Sequence, residues 1–258
     1  MSVGELQSPV GTRSAVYVYG ITRAGSGAPN AKGVLGGNVR LVELDGVAAV
    51  VSGVANERVR AKRRDLLAHS DVLQAAYSQG VVLPLRFGTL FSSEDELRTA
   101  FLEPRRDELL SSLASFDGLC ELRLRAAYHD QDAVFGDIVA GDAEIARLRE
   151  ASRSGSAREA DLVRLGELVA KTYEHRRAID RQQILDGLRG VAVDVSVDEN
   201  LDEITVAKAS FLVNDRKRGA FDKALEALAL RVRHLIDLTC IGPLPPHSFV
   251  SLDPPGQR

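Results

Sequence analysis

The hydrophobic period along the chain switches repeatedly between two residues and three to four, and each switch marks an element. Residues 14–22 alternate and predict a strand, with Val16, Val18 and Gly20 on one face and Tyr17, Tyr19 and Ile21 on the other. Residues 38–44 and 47–54 predict two further strands, and the Asp45-Gly46 pair between them is a hairpin signal. Helical spacing takes over at residues 65–79, where Leu66, His69, Leu73, Ala76 and Tyr77 form one stripe and Gly80 stops it. A second helix is predicted over 94–116, broken or kinked by Pro104. Residues 120–128 alternate as a half-exposed strand, with Cys120, Leu122, Leu124 and Ala126 inside and Glu121, Arg123 and Arg125 outside.

Residues 130–189 are largely helical, with a turn at 152–156 and an approximate heptad seam through Leu162, Leu165, Val169, Thr172 or Tyr173, and Ile179. The seam loses apolar residues at Arg176 and Gln183, so a helical hairpin over about 137–189 fits better than an extended two-stranded zipper. Strands at 191–197 and 204–213 and a helix at 220–236 follow. Strand pieces at 238–241 and 248–252 flank Gly242, Pro243, Leu244, Pro245 and Pro246, and the prolines predict a rigid edge or turn there. Both halves interleave strands with two packed helices, an α+β grammar that suits split-βαβ packing. Residues 1–13 read as a disordered tail, 14–117 as an N-terminal domain and 118–258 as a C-terminal one.

The most unusual stretch is 81–91. Val81, Val82 and Leu83 read as a buried strand, and Pro84 places an edge or bulge. Strict alternation puts Leu85 and Phe87 on one face and Arg86 on the other, Gly88 permits a bend, and Thr89, Leu90 and Phe91 complete the run. Ser92 or Ser93 can cap the acidic helix start that follows. The bland outcome is a bent strand and a capped helix. The functional one makes Arg86 and the Gly88 backbone an anion or peptide site, since Arg carries a rigid fork of donors.

A length of 258 residues suits two ordinary domains or one large one, and 45% apolar with 27% charged residues is normal for a globular protein. The net charge of −3 supplies no global field for nucleic acid or anionic membrane. The basic run at residues 57–64 has no interleaved aromatics, so it reads as a solvated helix start and not a nucleic-acid surface. No run of 18 apolar residues and no basic-then-apolar leader is present, so neither a membrane span nor secretion by that route is expected. Cys120 and Cys240 do not make a disulfide framework and read as buried thiols in a reducing cytoplasm.

The glycines between residues 25 and 37 lack the G-x-G-x-x-G order of a phosphate-binding turn. The five histidines are scattered, and no zinc pattern or nucleophile elbow occurs. His69 on its apolar face is expected to be a satisfied core or boundary histidine. The chain therefore reads as a non-enzyme with no cofactor.

Four stretches nevertheless resemble, in order and spacing, the gas vesicle protein F/L family: Tyr17-Val-Tyr-Gly-Ile21, the helix of His69 through Leu73, Leu83-Pro-Leu-Arg-Phe-Gly-Thr89, and Gly242-Pro-Leu-Pro-Pro-His-Ser-Phe-Val250. Leu244 and His247 depart from the aromatic residues usual there, and Ser70 from a more usual acid. The resemblance spans residues 14–250. It implies two α+β domains, the first ferredoxin-like and the second carrying a coiled-coil-like helical insertion. It also implies an accessory role in building gas vesicles in the cytoplasm, as a minor vesicle component in contact with the small hydrophobic shell subunit and other accessory proteins. Pro84, Leu85, Arg86, Phe87, Gly88 and Thr89 become the candidate partner-binding residues, and Gly242, Pro243, Pro245 and Pro246 a candidate rigid motif. The alternative is a small-ligand or nucleotide-binding regulatory module using the 25–37 loop and Arg86.

Overall fold

The computed structural model describes residues 15–55 and 59–252. The tail expected over residues 1–13 and part of the 57–64 run lie outside the described residues. The chain is α+β with two sheets, in two compact units: one holds the residues up to Leu119 and those from Leu244 onward, the other Cys120–Pro243. The sequence predicts that the C-terminal stretch stays with the second half. Instead Leu252 is buried in the core of the first unit and Val250 packs against it. The strand expected at 248–252 is not formed; a turn at His247–Phe249 takes its place.

In the first unit, β1 (Ala15–Arg23) lies between β3 (Val47–Val54) and the short strands β4 (Val82–Pro84) and β5 (Leu90–Phe91), with β2 (Val39–Leu44) outside β3. Asp45 and Gly46 both take positive φ, the two-residue hairpin conformation that the Asp-Gly pair predicts. Helix α1 (Arg63–Tyr77) covers one sheet face through Val72, Leu73 and Ala76. The opposite face packs on Leu97, Phe101, Leu109 and Leu113. These belong to a helical run that begins at α2 (Glu94–Glu96), widens to a π-helical turn at Leu97–Leu102 and continues as α3 (Glu103–Ser115). Ser93 caps its start by accepting from the Glu96 N–H. Pro104, without an N–H, stands just after the widened turn, where the regular ladder loses a bond.

Three strands precede the first helix of this unit, so it lacks the β-α-β opening of a ferredoxin-like domain. The physical reason is the glycine-rich connection of residues 24–38, which supports only one 3-10 turn at Val34–Gly36.

The second unit has the β-α-β-β-α-β order that the resemblance placed in the first: β6 (Leu119–Tyr128), helices α4 (Gln131–Gly141), α5 (Ala143–Arg153) and α6 (Glu159–Arg189), β7 (Asp194–Asp198), β8 (Thr205–Asn214), α7 (Arg218–Val232) and β9 (Ile236–Leu244). The sheet order is β7-β8-β6-β9, which leaves the proline-bearing β9 at an edge. Helices α4 and α5 both pack along the 31-residue α6. Glu121 is fully buried and not half-exposed as alternation predicts, whereas Arg123 and Arg125 on the same face stay partly exposed; Ser210 donates to the Glu121 carboxylate at 2.9 Å and Arg123 pairs with it at 2.5 Å. Cys120 is buried and its thiol is pushed up to about 11, chiefly by burial, whereas Cys240 is only partly buried.

Candidate functional site

The 81–91 stretch forms the outer edge of the first sheet, interrupted by a loop. Val82, Leu83 and Pro84 pair with Thr22, Ile21 and Gly20, while Leu90 and Phe91 pair with Tyr17 and Val16. Between them the Leu85 N–H donates to the Tyr19 carbonyl at 2.8 Å, and the Val18 N–H to the Thr89 carbonyl at 3.0 Å. Arg86, Phe87 and Gly88 therefore leave the sheet while both ends of the loop stay fastened to β1. The Thr89 N–H and hydroxyl both donate to the Arg86 carbonyl, at 3.3 and 2.9 Å. Gly88 supplies the positive φ, +92°, that the third position of a type II turn requires.

On its far side β1 bulges against β3 between Val18 and Gly20. The extra residue shifts the phase of the strand. Val16, Val18 and Ile21 consequently share one core, while Tyr17 and Tyr19 enter the other. Simple alternation, which groups Ile21 with the tyrosines, fails here. Leu85 and Phe87 also part company: Leu85 enters the Val16 core and Phe87 packs on the tyrosine side.

The Tyr17 hydroxyl is the hub beneath the turn. It accepts from the Gly88 N–H at 3.0 Å and lies 2.9 Å from His69 Nδ1. The His69 ring also bonds to the Leu85 backbone. A ring N–H given to that carbonyl assigns Nδ1 as acceptor, so the Tyr17 hydroxyl donates to it. The rings of Tyr19 and His69 stack with centroids 5.5 Å apart, and Phe87 meets His69 edge-on at 5.7 Å. Burial, joined by the nearby charge of His247, lowers the His69 pKa to about 4, against a smaller opposing effect of the Leu85 bond. Burial likewise raises the Tyr17 pKa. At neutral pH both groups are uncharged, and the network holds a turn in place.

Tyr19 fastens the glycine-rich connection: its hydroxyl accepts from the Val34 N–H at 2.7 Å and bonds Ser52 Oγ at 2.8 Å. Three of the sequence motifs thus meet around Tyr17, and the charge of His247, from the fourth, acts on His69. Neither the tyrosine hub nor the approach of His247 follows from sequence spacing, since the partners lie far apart in the chain. The usual Tyr at position 247 and the His here were the one available hint.

Arg86 is exposed, Phe87 and Gly88 are partly exposed, and Pro84, Leu85 and Thr89 are buried. The surface-facing part of the predicted site is therefore the turn of Arg86, Phe87 and Gly88. The C-terminal motif divides: Pro245 and Pro246 are buried and belong to the first unit, whereas Gly242 and Pro243 end β9 in the second. A Cβ on Gly242 would fall 2.6 Å from Leu122 Cδ2 and 2.8 Å from the Glu121 carbonyl oxygen, so its role there is close packing. Among the described residues no three His, Cys, Asp or Glu side chains gather as a metal site, and no helix is long and apolar enough to cross a membrane.

The family model described as "Gas vesicle synthesis protein GvpL/GvpF" matches residues 15–251. Gas vesicle protein F of Streptomyces sp. (strain CB03234) is 37% identical over 92% of this chain and 99% of its own length. Gas vesicle protein L1 of Halobacterium salinarum is 24% identical over 90% of this chain and 89% of its own. The crystal structure of GvpF from Anabaena sp. PCC7120 superposes with a TM-score of 0.78 at 20% identity, covering 93% of this chain and 97% of that one. GvpF from Microcystis aeruginosa gives 0.74 at 20% identity, covering 92% and 99%. At that identity the structural likeness speaks to the fold.

Proposed function

The chain belongs to the GvpL/GvpF family of gas vesicle synthesis proteins, and from that premise we propose that it is a non-enzymatic assembly factor, acting in the cytoplasm at the growing vesicle. In this reading it binds the small hydrophobic shell subunit and recruits other accessory proteins. A subunit with a gas-facing apolar surface aggregates in water unless that surface is covered. The first unit offers the Arg86-Phe87-Gly88 turn for this task. The observation that supports the assignment is the locked base of the turn, where Tyr17, His69 and both flanking backbone bonds fix its shape. A pre-ordered turn loses little conformational entropy on binding. The helical hairpin of the second unit, α5 and α6, then serves the accessory proteins.

The test is co-expression with the shell subunit and co-purification across a salt series. The wild type is expected to capture the subunit saturably and keep it in solution. The double variant Arg86→Glu, Phe87→Ala is expected to lose capture at an unchanged melting temperature. No capture by a folded wild type would overturn the reading, and full capture by the variant would remove the turn from it.

A further inference from the structure

The second unit contains an open groove of about 710 Å³ along α6. Its floor is formed by Leu162, Leu165, Gly166, Val169, Ala170 and Tyr173, which recur at steps of three and four and so form one stripe. Phe135 of α4 and Leu201, ahead of β8, line it as well. The floor is apolar and open, with Leu162 47% and Phe135 38% exposed. It is also preformed. Phe135 stacks on Tyr173 with centroids 5.4 Å apart, and the Tyr173 hydroxyl donates to the Glu203 carbonyl at 2.7 Å.

Gly166 sits inside a 31-residue helix, where glycine is less favourable than alanine. Among the described residues, nothing outside its own stretch of helix lies within 4 Å of the place its Cβ would take. With Ala170 one turn on, it lowers the floor enough for a second backbone to approach. The rim carries Glu174, Asp202 and Glu203 against Arg177. That guanidinium pairs with Glu174 at 2.8 Å and donates to the Asp202 carbonyl at 3.3 Å, while the Asp202 carboxylate lies 3.6 Å from Arg125. With both pairs counted, the rim keeps a net negative charge through Glu203.

We propose that this groove receives an amphipathic helix of a partner protein, one with a continuous apolar face flanked by Lys and Arg. A floor with three- and four-residue ridges accepts another helix by ridge-into-groove packing. From Leu162 to Arg177 it runs about 22 Å at the helical rise, the length of about four turns. The basic flanks answer the carboxylates of the rim. The inference rests on the recruiting role given to the hairpin and specifies the chemistry of what is recruited.

The test uses two labelled, stapled helical peptides of about four turns. Both carry leucines on one face; one has lysine flanks and the other glutamate flanks. Fluorescence anisotropy with the full chain should show saturable binding of the lysine peptide and at least tenfold weaker binding of the glutamate peptide. Gly166→Leu, which fills the floor, should weaken the lysine peptide at least tenfold. Gly166→Ala should keep binding and raise the melting temperature, which shows that the site tolerates a side chain. Equal binding of both peptides, no binding of either, or an unaffected Gly166→Leu would overturn the proposal. A self-associating chain whose dimer is dissolved by Gly166→Leu would overturn it in favour of a second copy as occupant. Shell-subunit capture, measured on the same variant, separates the two readings. Capture retained with peptide binding lost supports the groove as a distinct site. Peptide binding intact with no shell capture by the wild type sinks the parent reading of the first unit alone.

Discussion

The hydroxyl of Tyr17 lies 2.9 Å from Nδ1 of His69, so a strand residue and a helix residue together close the base of a surface turn. With its other ring N–H given to the Leu85 carbonyl, Nδ1 accepts and the imidazole is neutral. Protonating it would place a charge among Tyr17, Tyr19 and Phe87, in a residue only 7% exposed.

A pH dependence follows. The His69 pKa falls from 6.5 to about 4 on folding. Between those values the unfolded chain binds the proton and the folded chain does not. Stability from this group is thus complete above pH 6.5 and is lost as pH drops towards 4, a total on the order of 3 kcal/mol. Urea unfolding at several pH values should show this loss in the wild type. His69→Gln should be less stable at pH 7 but fall less steeply, by up to about 1.4 kcal/mol per pH unit. Parallel profiles would show that the charge of His69 is not what acid destabilises.

The turn above this pair depends on Gly88. Its φ of +92° is strained for any residue with a Cβ, although the space around it is open. Gly88→Ala should therefore cost about 1 kcal/mol, and Gly88→Asn less, because Asn tolerates the left-handed region. Equilibrium unfolding checks the order. A neutral alanine variant would mean that the turn relaxes to another form.

In the second unit, the Tyr128 hydroxyl donates to Asp180 at 2.7 Å, while Arg176 bonds the same carboxylate at 3.0 and 3.2 Å. Asp180 is 8% exposed, so water cannot readily replace a lost donor. Tyr128→Phe should destabilise by roughly 1–3 kcal/mol. Tyr173→Phe, which removes a hydroxyl bonded to the carbonyl of the exposed Glu203, should cost less. Thermal unfolding of the two single variants gives the comparison, and an equal cost would contradict the role given to burial.

Much of this architecture is legible in the sequence because local physics decides it. Asp45-Gly46 dictates a hairpin, Ser93 a helix cap, Pro104 a disturbed helix, and Pro243 of β9 an edge. What escapes is set by long-range geometry. The bulge at Tyr19 depends on β3 and transfers Ile21 to the opposite core. Glu121 is buried with Ser210 and Arg123 as partners, while Arg125 on the same face stays partly exposed, a difference that alternation cannot report. The candidate turn was visible as Arg86 and Gly88, but its support came from Tyr17 and His69, which lie 52 residues apart. Its exposed part is narrower than the predicted segment, because Pro84, Leu85 and Thr89 serve the core and the turn's own hydrogen bonds.

Gly242 offers a contrast with Gly88, since both lie in family-like motifs but for different reasons. At Gly242 a positive φ of +147° coincides with close approach, and an added Cβ would meet the Glu121 carbonyl and the Leu122 side chain well inside contact distance. The leucine can shift, but the carbonyl belongs to the inner strand β6 and can move only with the sheet. Gly242→Ala should then cost more than Gly88→Ala, roughly 2 kcal/mol or above, as overpacking adds to backbone strain. The loss should appear in the second unit, where Gly242, Glu121 and Leu122 all reside. Hydrogen exchange on the two variants resolves the location: faster exchange in β6 and β9 for Gly242→Ala, and in β1 and the Arg86–Thr89 turn for Gly88→Ala. If the alanine at 242 proved the milder of the two, the close contact with β6 would not be what fixes glycine at that position.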